Sequence, residues 1–205
     1  MKPKTVSHYK NVLFLLEEQS AEAMLRELLP RCFPTLRCTY RRFSGVNKLL
    51  DRLEKTIRNH ADTRCPIIIL CDQDDKDCIE FKERILNLCK KTKQESRCII
   101  RIACHELESW YLAQLDVVAN HFGVPELLKR QNKFNNPDSI NKPSKELDRI
   151  TKQQYQKVKG SRIMGQYLDP DAERSASFKH FIHALRKISW STDLKPNQEI
   201  VKLEN

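Results

Sequence analysis

Residues 67–71 form an unbroken apolar run, Ile67, Ile68, Ile69, Leu70 and Cys71, that stops on Asp72, Gln73, Asp74 and Asp75. Four branched aliphatic residues in succession suit a strand covered on both faces, the setting of a central strand in a parallel sheet. Open α/β sheets place ligands outside the carboxyl ends of their strands. Carboxylates gathered at such an edge raise one another's pKa values unless a counter-ion joins them, so the run predicts a parallel sheet with a cation site at its tip.

The rest of the first half agrees. Between residues 11 and 104, short continuous apolar runs alternate with apolar residues three to four apart, the signature of alternating strands and helices. Strands are expected at residues 12–16, 36–43, 67–71 and 98–104, the second alternating with arginines as an edge strand does. The helices between them bury Ala21, Met24, Leu25, Leu28 and Leu29, then Val46, Leu49, Leu50, Leu53 and Ile57, then Cys78, Phe81, Ile85, Leu88 and Cys89. Ser20 and Asp77 are the expected caps of the first and third helices. Pro30 and Pro34 are expected to end the first. Crossovers this short give right-handed connections and hence a doubly wound α/β core.

After Glu108 the pattern changes. Leu107, Trp110, Tyr111, Leu115, Val118 and Phe122 trace one helix, residues 130–144 read as a loop, and further helices are expected at 144–156 and 175–188. The chain thus divides into an α/β catalytic core (residues 1–121), a basic helical extension packed on it (122–190) and a flexible tail (191–205).

Charge bears on partners. Lys and Arg number 37 against 27 Asp and Glu, a formal net charge of +10 concentrated in the helical half. Such a balance favours a polyanion such as nucleic acid. The eight cysteines contain no Cys-x-x-Cys pair, which speaks against a zinc ribbon or finger. They read as reduced core thiols of a cytoplasmic protein. No apolar stretch approaches the roughly 18 residues that span a bilayer, so secretion and membrane insertion are both disfavoured.

Three strand ends carry acids: Glu17 and Glu18 after the first, Asp72, Asp74 and Asp75 after the third, Glu106 and Glu108 after the fourth. Asp72 and Asp74 can be aimed at one place if the chain bends at Gln73. An all-oxygen cluster suits a hard divalent cation, Mg²⁺ or Mn²⁺. Asp75 belongs to the solvated turn before Asp77. His105 reads as a hydrogen-bonded neighbour of the acids and Trp110 as core.

These residues resemble the Toprim fold, in which a strand ending in Glu leads through a small capping residue into a helix (residues 13–22) and a later strand ends Asp-x-Asp (Asp72, Asp74). Topoisomerases, bacterial primases, recombination proteins and overcoming-lysogenization-defect (OLD) nucleases share that fold. Residues 106–113, Glu-Leu-Glu-Ser-Trp-Tyr-Leu-Ala, resemble a small Toprim branch, filed mainly as a domain of unknown function, whose members often accompany ABC-type ATPases in bacterial defence operons. Residues 155–158 and 175–181 are similar to that branch as well, so the resemblance spans residues 12–185. The chain departs from OLD nucleases at two positions: Glu18 stands where they have Gly, and Ala21 where they have an acid.

The resemblance implies a divalent-metal-dependent nuclease that acts as the effector of an anti-phage system regulated by an ABC-type ATPase partner. Asp72 and Asp74 would hold a metal at the phosphate, and Glu17 would ligate a metal or act as general base. Glu108, with Glu106, would complete a second site. Lys157 and Lys159 are candidates for contacting the scissile phosphate. The substrate would be DNA or RNA, and homo-oligomerisation stays open. Two other readings compete: a non-catalytic nucleic-acid-binding or regulatory subunit, and a phosphate-receiver domain, which lacks the Ser or Thr and Lys it would need at the later strand ends.

Overall fold

A computed structural model describes residues 10–190. The tail expected at residues 191–205 lies outside the described residues. The order of elements is β1 (Lys10–Leu16), α1 (Gln19–Cys32), β2 (Leu36–Arg42), α2 (Val46–Arg58), β3 (Ile67–Asp72), α3 (Cys78–Lys90), β4 (Cys98–Ala103), α4 (Glu108–Leu112), α5 (Leu115–Phe122), α6 (Glu126–Lys129), α7 (Pro143–Ile150), α8 (Lys157–Tyr167) and α9 (Ala176–Trp190).

The four strands form one parallel sheet in the order β2-β1-β3-β4. The strands with the longest apolar runs, β1 and β3, are central, because only there are both faces covered. Strand β2, at an edge, alternates half-buried and exposed residues. Val12, Phe14, Leu16, Ile68 and Leu70 face a cluster built with α1, α4, α5, α8 and α9. Leu13, Leu15, Ile67, Ile69 and Cys71 face a smaller cluster with α2 and α3. The chain leaves β1 toward β2 on one side and places β3 on the other. This makes the β1/β3 junction the topological switch point, where a crevice opens beyond the strand ends. Glu17 and Asp72 stand at its two lips.

Several local expectations need correction. Glu18, not Ser20, occupies the N-cap of α1; Ser20 lies in the first turn and its hydroxyl donates to Glu18 Oε2 at 3.2 Å. Pro30 stands inside α1, since it forfeits only its own amide bond, and the helix ends when Phe33 N–H donates to the Leu29 carbonyl at 2.8 Å. The helix expected after Leu107 breaks into α4 and α5. Its break is held by the amide of Gln114, which accepts from Asp169 N–H at 2.7 Å and donates to the Asp169 carbonyl at 3.2 Å. Residues 130–144 are not one open loop but include two 3₁₀ turns, Asn132–Asn135 and Pro137–Ser139. The helix expected at 144–156 ends at Ile150.

Helix α8 follows, although two glycines argue against a helix there. Both serve close packing. A Cβ at Gly165 would run into the Met24 carbonyl oxygen of α1, and one at Gly160 into the Tyr155 ring. Elsewhere expectation holds: Asp77 caps α3 by accepting from Glu80 N–H at 2.9 Å, and Trp110 is core, its indole N–H donating to Ser177 Oγ at 2.8 Å. Among the described residues no helix is long and apolar enough to cross a membrane.

Candidate active site

Glu17 follows the last residue of β1. Its Oε2 accepts the backbone N–H of Asp72 at 3.2 Å, a bond that ties the ends of β1 and β3 across the switch point. Burial pushes the Glu17 carboxyl above its ordinary value against that hydrogen bond, and the charges of Asp74 and Glu18 push the same way. Asp72 ends β3. Burial lifts its carboxyl well above the aspartate range, and the fields of Glu108, Glu17 and Glu18 lift it further, while Lys157 opposes them.

Glu108 opens α4 and is fully buried. Its Oε1 accepts the Tyr155 hydroxyl at 2.8 Å, whereas its Oε2 is buried with no partner among the described residues. Burial raises its carboxyl despite Lys157 and the Tyr155 bond. An unpaired buried carboxylate oxygen is costly, and groups of this kind gather at functional sites.

Lys157, the first residue of α8, pairs with Glu18 at 2.5 Å. Burial works against its ammonium charge, but the Glu18 hydrogen bond and the fields of Glu108, Glu18 and Asp72 leave its pKa raised overall. One cation thus sits within the field of two predicted acids. Lys159 is exposed and lies roughly 200° further round α8, so it does not share that position.

Asp74 adopts a left-handed backbone conformation (φ 52°), which Asp tolerates, and its amide donates to the His105 carbonyl at 2.7 Å. Its carboxylate pairs with Lys76 at 2.5 Å. The turn after β3 is thereby tied to the turn after β4, with His105 in the bonding pattern expected of a neighbour. Glu106 accepts Ser144 N–H at 2.6 Å, holding the first turn of α7. Glu22, the residue after Ala21, pairs with Arg26 at 2.7 Å.

Glu17, Asp72 and Glu108 therefore form one electrostatically coupled group with Lys157, while the carboxylates of Asp74 and Glu106 are engaged beside it. Among the described residues no three His, Cys, Asp or Glu side chains close on one point tightly enough to hold an ion. The donor chemistry nevertheless fits a hard divalent cation. Three raised carboxyls and an orphaned Glu108 oxygen are what such an ion would relieve.

Sequence reasoning missed Tyr155 as the residue that orients Glu108, and Glu18 as the partner of Lys157. Both carried a signal: Tyr155 lies in the segment resembling the Toprim branch, and Glu18 is one of the two departures from OLD nucleases.

A family model described as "Domain of unknown function (DUF4276)" matches residues 16–186. The chain belongs to the DUF4276 family. That span contains every predicted site residue from Glu17 to Lys159. No curated protein sequence matches the chain. Among solved structures, the C-terminal region of the Burkholderia pseudomallei OLD protein is similar at a TM-score of 0.51 and 14% identity, covering 86% of this chain and 97% of that one. The C-terminal region of the Xanthomonas campestris pv. campestris OLD protein gives a TM-score of 0.47 and 12% identity, covering 88% and 96%. The DUF4276 chain thus has a Toprim-like α/β fold: a four-stranded parallel sheet flanked by helices with a helical C-terminal extension.

Proposed function

We propose that this protein is a divalent-metal-dependent nuclease that cleaves nucleic-acid phosphodiesters. The observation that carries the reading is the buried, half-unpartnered Glu108 beside Asp72 and Glu17 at the switch point of a Toprim-like sheet. Asp72, Glu108 and Glu17 would hold Mg²⁺ or Mn²⁺, with Asp74 available once Lys76 releases it. A bound ion would polarise the phosphate and lower the pKa of a coordinated water. Lys157, which pairs with Glu18, would swing to the reacting phosphate and neutralise the charge that develops there. Tyr155 holds Glu108 in one orientation. In its carboxylate form Glu17, whose pKa burial raises, would be a stronger base than an ordinary glutamate toward a water at the site.

On the resemblance to the Toprim branch, the protein acts as an effector of bacterial anti-phage defence, in the cytoplasm and under an ABC-type ATPase partner. Incubating the protein, alone and with such an ATPase, with DNA and with RNA in Mg²⁺, Mn²⁺ or EDTA tests this. Metal-dependent cuts are expected; intact substrates in every metal and with the partner would contradict it.

A second reading, a non-catalytic nucleic-acid-binding or regulatory subunit, draws on the open arrangement of the acids and on the Lys76–Asp74 pair. It predicts nucleic-acid binding without carboxylate-dependent uptake of Mg²⁺ or Mn²⁺.

A further inference from the structure

Beside the acids lies an open cleft of about 330 Å³. It is lined by Glu17 and Glu18, by Arg42 at the end of β2 with the turn that follows it to Gly45, and by Lys157. The turn is fixed. Phe43 N–H donates to the Leu16 carbonyl at 2.8 Å and Gly45 N–H to the Glu17 carbonyl at 3.2 Å, so the turn after β2 is bonded to the turn that delivers Glu17. Arg42 pairs in register with Leu16 at the end of the sheet, one residue before that acid.

The two cations of the cleft are placed differently. Lys157 has Glu18, but Arg42 has no acidic partner among the described residues, unlike Arg26, Arg149 and Arg186. Arg42 is exposed and lines the same open cleft as the candidate metal ligand Glu17. A guanidinium in that position offers a planar fork of donors that matches phosphate oxygens. An exposed arginine on a rigid turn does nothing for the core, and its charge is unspent by any ion pair.

We infer that the cleft seats a phosphate of a nucleic-acid strand and that Arg42 is the positioning residue that grips it. That phosphate is a neighbour of the one cut at Glu17, Asp72 and Glu108, an adjacency that rests on the nuclease reading. The grip itself does not. Two sources of phosphate, a polynucleotide backbone and a free nucleotide, share this chemistry, and the geometry favours the polymer because the cleft is open at the protein surface rather than enclosed.

The test is fluorescence anisotropy of labelled single-stranded and duplex oligonucleotides with the whole protein in EDTA, with unlabelled mononucleotide as competitor. Arg42→Ala should weaken binding about tenfold on every sequence and lower the slope of log affinity against log salt by about one. Arg42→Lys should restore the slope and only part of the affinity, and melting temperatures should stay unchanged because Arg42 is exposed. Where cleavage is measured, Arg42→Ala should raise KM with little change in kcat. Wild-type affinity and slope in Arg42→Ala would overturn the assignment. So would a wild-type protein that takes mononucleotide but no polymer. The binding arm is read without metal, so it decides the role of Arg42 even if the protein cuts nothing.

Discussion

The Tyr155 hydroxyl reaches Glu108 Oε1 at 2.8 Å and leaves Oε2 of the same carboxylate buried without a partner. The hydroxyl also lies 3.1 Å from Ser161 Oγ and 3.3 Å from the Lys157 carbonyl, so one side chain of the helical extension orients an acid of the sheet edge and braces the start of α8. A metal ligand held by an outer hydrogen bond is pre-aimed, and losing that bond typically costs ten- to a hundredfold in affinity.

Tyr155→Phe removes the bond and keeps the ring, which packs against Tyr111 and Phe122. Affinity for Mn²⁺ should fall about tenfold while the fold is retained. Calorimetry and circular dichroism on the same sample check the two halves of this expectation.

The acid site should give the metal-free protein an unusual pH profile. The carboxyls of Asp72, Glu17 and Glu108 all lie above their ordinary range, chiefly through burial. Between the unfolded and folded pKa values the folded state binds more protons than the unfolded, so stability is fully present below the unfolded carboxyl range and is lost as pH rises through the folded values. In EDTA the melting temperature should therefore fall as pH rises above the ordinary carboxylate range. Asp72→Asn should melt a few degrees higher than wild type at the upper end of that rise and flatten the fall. An Asn variant no more stable than wild type in EDTA at that pH would refute the coupling.

Gly165→Ala puts a methyl group against the Met24 carbonyl and must push α8 off α1. Overpacking of this kind costs about 1–3 kcal/mol. Because α8 carries Lys157, cleavage should fall along with the melting temperature. Gly123, by contrast, has open space around it but a left-handed φ of 68° at the end of α5, so alanine there should cost stability through backbone strain without touching the site.

Lys157→Met keeps much of the side-chain length and removes the charge. Its pair with Glu18 is partly exposed, so stability should change by no more than about 1 kcal/mol. If Lys157 meets the phosphate during reaction, kcat should drop about a hundredfold. Lys159→Met is the matched control and should stay near wild type, since Lys159 points elsewhere on α8. Steady-state kinetics on both variants separate a site lysine from a surface one.

The sequence showed most plainly what depends on neighbours in the chain. The runs in β1 and β3 report two-sided burial, Asp77 reports a cap, and Asp72 reports a strand end, because each signal lies within a few residues of its cause. The same cannot hold for Tyr155 and Glu108, which meet although they lie 47 positions apart in the chain. Helix α8 was hidden for a related reason: Gly160 and Gly165 lower helix propensity locally and are explained only by the ring and carbonyl they approach from elsewhere. The sequence sets Glu106 beside Glu108 as an accompanying metal ligand, and only the position of Ser144 distinguishes a carboxylate that holds a helix start from one left with an unpartnered oxygen.

If Glu108 and Asp72 belong to a divalent-cation site, titrating Mn²⁺ into wild-type protein, Glu108→Gln and Asp72→Asn by calorimetry will separate the three proteins. A saturable heat is expected in the wild type, lost or weakened at least tenfold in both folded variants. The same isotherm in all three proteins, or no binding in the wild type, would contradict this assignment.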